Sequence, residues 1–143
     1  MEKKVFGYPK FDENGEMILT TNDNEYRDML MDIRVYNIKA GERRDFSCNA
    51  EEAAVLLLSG KAVFIWEDGR EPVSRKDVFT EGPYALHFCT GKEVAVEAEE
   101  ESEILVQRTR NSREFQTRLY VPEDAPWKYS SVGKFGNVAK RRV

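Results

Sequence analysis

The sequence predicts an all-β fold, an antiparallel sandwich or barrel, on three observations. Turn pairs recur along the chain: Asn14-Gly15, Ala40-Gly41, Ser59-Gly60, Asp68-Gly69, Gly82-Pro83 and Thr90-Gly91. Between them lie short runs rich in β-branched and aromatic residues, which is the spacing of many short strands. Several of these runs alternate in polarity, so one face is buried and the other solvated. The 143 residues fit one domain on a rough prior of about 150 residues per domain. A chain of this size buries ~68% of its unfolded surface, enough for a core without disulfide or metal staples.

Taken in order, the expected strands are 17–20, 33–38, 53–58, 61–66, 84–88, 94–98 and 103–108. In 33–38 the apolar positions Ile33 and Val35, then Tyr36 and Ile38, fall around Arg34 and Asn37. In 94–98, Val94, Val96 and Ala98 alternate with Ala95 and Glu97. The segment 53–58 is contested. Asn49-Ala50-Glu51-Glu52 before it supplies a helix cap and a capping-box acid, and Gly60 after it is a helix stop. A hairpin through Ser59-Gly60 instead explains this run and the strand-like Val63-Phe64-Ile65-Trp66 together, and strand is the preferred reading. From about residue 115 onward Pro122, Pro126 and the late glycines indicate an irregular C-terminal tail.

A formal net charge of −4 argues against nucleic acid, whose partners usually present a basic face. Lys140-Arg141-Arg142 reads as a solvated terminal cluster, and Glu99-Glu100-Glu101 as an exposed turn. The longest wholly apolar run, 53–58, falls far short of the ~20 residues that cross a bilayer. Met1-Glu2-Lys3-Lys4, followed by Val5-Phe6-Gly7-Tyr8-Pro9, lacks the apolar core of a signal peptide. Cys48 and Cys89 read as reduced thiols. The expectation is a cytoplasmic protein without membrane or nucleic-acid partners.

Chemistry is sparse. His87 is the single histidine, which removes most arrangements needing several imidazoles. The best metal set available is His87 with Glu52 and Cys89, and residues 87 and 89 share one face of a strand. A partly buried histidine is the preferred reading of His87, and no metal or other cofactor is expected in this chain. A thiol nucleophile would need a third group to orient His87, and the sequence nominates none. No phosphate loop, dinucleotide fingerprint or nucleophile elbow is present. Small-molecule binding asks for less. A barrel mouth lined by Tyr36, Trp66, Tyr84 and Phe88, with Arg34 or Arg75 for a carboxylate and His87 nearby, suits a sugar acid. The competing reading is that the aromatics simply fill the core.

Two stretches carry a family resemblance. Gly41 through Cys48-Asn49, then Glu52, then Val55 to Gly60, follows the outline of the first cupin motif, and Pro83-Tyr84 leading to Cys89-Thr90-Gly91 that of the second. Glu52-Ala53-Ala54-Val55-Leu56-Leu57-Leu58-Ser59-Gly60-Lys61-Ala62-Val63, Arg75-Lys76-Asp77-Val78-Phe79, Gly82-Pro83-Tyr84-Ala85 and Gly133-Lys134-Phe135-Gly136-Asn137 narrow it. The chain resembles the N-terminal half of the 5-deoxy-glucuronate isomerases of myo-inositol catabolism, in the wider family that includes 5-keto-4-deoxyuronate isomerase. The resemblance implies a single cupin-type antiparallel β-barrel, or jelly roll, over residues 1–143, and a homodimer associating through its sheets. It also implies a sugar-acid pathway. Family members are longer, with metal-binding histidines and a glutamate in a second cupin half. Where a metal-binding cupin places its first two histidines, this chain has Ser47 and Asn49, and Val138-Ala139-Lys140 does not reproduce the family's arginine. The expected role is therefore a small-molecule-binding or assembly module, non-catalytic alone. The alternative is a sugar-acid aldose–ketose isomerase that takes its metal site from a partner chain.

Overall fold

The structure, a computed structural model, describes residues 8–132 and 137–142, with side chains from residue 8 to 126. The glycine-rich residues 133–136 and the N-terminal Met1 to Gly7 lie outside the described residues. The described residues form eleven strands: β1 (Glu16–Thr20), β2 (Asp32–Ile38), β3 (Arg43–Ser47), β4 (Glu51–Trp66), β5 (Gly69–Arg75), β6 (Ala85–Phe88), β7 (Glu93–Ala98), β8 (Ser102–Arg110), β9 (Arg118–Tyr120), β10 (Trp127–Val132) and β11 (Asn137–Arg142). Among the described residues the only helical pieces are 3-10 turns at Arg27–Met29 and Pro122–Asp124.

Two antiparallel layers share one strand. The first runs β1-β2-β8-β4-β6-β9, and the second joins β3, β7, β4 and β5. The first half of β4 pairs with β8 and β6, and its second half with β7 and β5. The sheets stay open rather than closing into a complete barrel, an arrangement consistent with a jelly roll.

Each layer sends one side of its alternation inward. Tyr36, Ile38, Ala53, Val55, Leu57, Leu86, Phe88, Ile104 and Val106 come from the first, and Phe46, Ala62, Phe64, Val73, Val94, Val96 and Ala98 from the second. All belong to one buried cluster. Full burial of a side chain such as Phe64 or Phe88 contributes about 1.5–3 kcal/mol. The turn before β1 is built as its sequence suggests. Asp12 Oδ1 accepts the backbone N–H groups of Asn14 (2.8 Å) and Glu16 (2.9 Å). Gly15 takes φ +74°, and a Cβ there would stand 2.5 Å from the Asn37 carbonyl oxygen.

Two expectations need correction. No hairpin forms at Ser59-Gly60. The register against β8 shifts between Leu57 and Ser59, and Gly60 has φ +107°, so β4 bends at a bulge and passes into the other layer. The hairpin turn is instead Glu67-Asp68, where Trp66 pairs with Gly69. The segment from 115 onward is also not simply irregular. Leu119 of β9 pairs with Leu86 and packs on the core, and β10 pairs with β11 from Trp127↔Arg142 to Val132↔Asn137. Such strands depend on distant partners, which local turn signals do not report.

Candidate functional site

Strand alternation makes one end of the interior polar. On β2, Asp32 and Arg34 share the inward face with Tyr36 and Ile38, while on β8 Arg108 follows Val106 and Ile104. Asp32 lies opposite Arg108, Arg34 opposite Val106, and Tyr36 opposite Ile104. β1 adds Glu16 opposite Tyr36.

Arg34 is anchored by both carboxylates. Its Nε and Nη2 donate to the two oxygens of Asp32 (2.8 and 2.9 Å), and Nη1 donates to Glu16 Oε1 (2.7 Å). The Asp32 hydrogen bonds are the largest influence raising the guanidinium's pKa, and Arg34 stays charged. Tyr36 is buried, with its ring edge-on to Phe46 at 5.1 Å and the Arg44 guanidinium 5.1 Å from its centroid. Burial, then the Glu16 charge, holds its phenol above the usual range, while the charge of Arg108 works the other way.

At the end of β3 the Cys48 thiol donates to the carbonyls of Glu51 (3.1 Å) and Cys89 (3.4 Å). Burial, then the charge of Glu51, pushes this thiol up, again opposed by Arg108. Arg108 thus faces a phenol and a thiol that are both neutral at pH 7. Asp32, opposite Arg108, is committed to Arg34, so the Arg108 guanidinium is still suited to an incoming carboxylate.

The sequence candidates divide. Arg34 and Tyr36 come together at the polar end. Arg75 and Tyr84 meet at a different place, the peptide of Leu57, where Arg75 Nη1 donates to the Leu57 carbonyl (2.9 Å) and Leu57 N–H to the Tyr84 carbonyl (3.1 Å). Arg75 Nε and Nη2 also donate to the Glu81 carbonyl (3.3 and 3.1 Å). Trp66 ends β4, packed against the core cluster. His87 sits on the outer face of the first layer, opposite Ala54, its ring 4.6 Å from that of Phe115 and its Nε2 3.7 Å from Glu52 Oε2.

Cys89 shares the outer side with His87, but it is fully buried and its sulfur is occupied. Sγ donates to the Phe115 carbonyl (3.1 Å) and accepts from Phe115 N–H (3.3 Å). The frame of the first cupin motif is displaced as well. Ser47 and Asn49 are exposed, and the inward neighbours are Phe46 and Cys48. A phenyl ring and a neutral thiol do not make the imidazole and carboxylate cradle a cupin metal needs. Among the described residues no group of three or more His, Cys, Asp and Glu is placed to hold a metal.

Sequence reasoning missed Arg108, Arg44, Asp32 and Glu16. For Arg108 the signal was available, because it continues the inward alternation of Ile104 and Val106. The others needed the strand pairing.

Comparison with known proteins is consistent with this architecture. The family model described as the KduI/IolB family matches residues 7–143. No curated protein matches the chain. An IolB-like protein of Salmonella typhimurium LT2 is 22% identical at a TM-score of 0.66, over 72% of this chain and 40% of that one. A cupin superfamily protein of Desulfitobacterium hafniense DCB-2 is 19% identical at a TM-score of 0.50, over 68% of this chain and 76% of its own. A cupin 2 domain-containing protein of Halorhodospira halophila is 13% identical at a TM-score of 0.54, over 79% of this chain and 73% of its own. At these identities the solved structures establish a shared cupin fold. The likeness takes in less than half of the Salmonella protein.

Proposed function

The chain belongs to the KduI/IolB family, and on that premise we propose that it is a ligand-binding cupin for a sugar acid, without catalysis of its own. The observation that carries this reading is the placement of Arg108 at the polar end of the interior, facing the neutral Tyr36 phenol and Cys48 thiol. The ligand's carboxylate accepts two N–H bonds from the Arg108 guanidinium, at the ~2.7–2.9 Å typical of charge-assisted pairs. The Tyr36 hydroxyl adds a donor. Arg34, already neutralised by Asp32 and Glu16, fixes the wall of the site and supplies N–H groups without excess charge. Phe46 and Phe88 supply apolar surface behind it.

Calorimetric titration with glucuronate tests this. The intact chain should bind, and Arg108→Met should weaken binding at least ~10-fold, since a charged hydrogen bond contributes roughly 1.5–3 kcal/mol. Equal affinity in the variant removes Arg108 from the site.

The coverage favours a second reading. The likeness spans 40% of the IolB-like chain, and the alternative reading is a sugar-acid aldose–ketose isomerase that takes its metal site from a partner chain. On that reading, deuterium from heavy water enters the sugar acid only when both polypeptides are present.

A further inference from the structure

Apart from the interior site, the arm before β1 and the ends of β2 and β3 enclose an open cleft of about 490 Å³, within the roughly 300–1,000 Å³ span of small-molecule sites. Its aromatic member is Phe11, 40% exposed. Asn37, Lys39, Glu42 and Arg44 contribute the polar part, beside the Asp12 to Gly15 turn.

Two features define what would fit. The charges are mixed, with Asp12, Glu13 and Glu42 against Lys39 and Arg44. Lys39 is already paired with Glu101 at 2.8 Å, so the lining leans negative and disfavours a phosphate or carboxylate. Finally, Arg44 donates to the Asn14 carbonyl, which holds the guanidinium along the cleft while its planar face covers Tyr36.

A hydroxyl donates and accepts at once. A polyhydroxy ring can therefore donate to Glu42, accept from Arg44, and lay its C–H face on Phe11. A hydrophobic amine or a plain anion matches only part of that set. We propose that this cleft is a second binding site, for an uncharged sugar or polyol seated between Phe11 and Arg44. Arg44 stands between it and the interior site, so the two ligands do not share a position.

The test is a titration of the isotope-labelled full chain with methyl β-glucopyranoside, followed by amide resonances. The amides of Gly15, Asn37 and Arg44 should move saturably. Phe11→Ala should weaken the affinity about tenfold while leaving the thermal midpoint in place, because the ring is partly exposed and outside the core. Saturating glucuronate should leave the glycoside titration unchanged. The proposal is overturned if those amides stay still with glycoside in the tens of millimolar. It is equally overturned if the Phe11→Ala chain binds as well as the parent, or if glucuronate displaces the glycoside, which would assign both to the interior.

Discussion

Arg75 and Arg108 are both arginines on inward faces, and their neighbours give them opposite roles. Arg75 is only 6% exposed, and its guanidinium is spent on the carbonyls of Leu57 and Glu81. It ties the bend of β4 to the loop before β6. Arg75→Met should cost about 3 kcal/mol, since it strands buried carbonyls, and Arg75→Lys should recover little because lysine lacks the planar fork. Urea unfolding midpoints measure both, and an unchanged midpoint for Arg75→Met contradicts the clamp. Cys48 and Tyr36 supply a pH dependence. The fold holds both protonated beyond their ordinary values of 9.0 and 10.0, so the unfolded chain releases protons first as pH rises. Their contribution is complete below about pH 9 and declines above it. Unfolding midpoints compared at neutral and about pH 10 should show the loss, and Cys48→Ala together with Tyr36→Phe should reduce it.

At the scale of elements, β4 decides the architecture. Its first half shows the strand alternation, with Ala53, Val55 and Leu57 buried and Ala54 and Leu56 partly exposed. The helix signals before it lose to pairing on both sides by β8 and β6, and Ala50 has φ +54°, outside any right-handed helix. A hairpin at Ser59-Gly60 was a reasonable inference from two apolar runs around a glycine, because a turn and a bulge place similar residues there. The distinction rests on Ser102 and Glu101, which crowd Gly60 and come from a distant strand. A Cβ at Gly60 would lie 2.6 Å from the Glu101 carbonyl oxygen and closer still to Ser102 Oγ. Gly60→Ala should therefore destabilise the fold by about 3 kcal/mol, measured by thermal or urea unfolding. A loss no larger than that of an ordinary surface glycine contradicts the crowded bend. β3 and β5 escaped detection for related reasons. Arg43-Arg44-Asp45-Phe46-Ser47 offers one large apolar residue to the core, and Pro72 occupies β5, a strand paired only through β4.

For the whole molecule, the all-β class and most of the inner strands were legible, since β2, β7 and β8 alternate visibly and the turn pairs separate them. The family was legible from short ordered pieces in β4, β5 and the loop before β6. The site was legible only in part. Arg34 and Tyr36 stood out by type on one strand, but Arg108 gains its meaning from facing Tyr36 and Cys48, which lie far away in sequence. The outward position of His87 depends on which side of β6 faces the core, and its sequence does not alternate cleanly. A chain whose interior holds a carboxylate-binding arginine, rather than a metal cradle, should keep its ligand in a defined pose. The most direct measurement is a diffraction structure of the chain crystallised with glucuronate. Density for the carboxylate within hydrogen-bond reach of the Arg108 guanidinium and the Tyr36 hydroxyl is the expected result. Glucuronate bound instead on the outer face beside His87 and Phe115, or absent from the interior at saturating concentration, would contradict it.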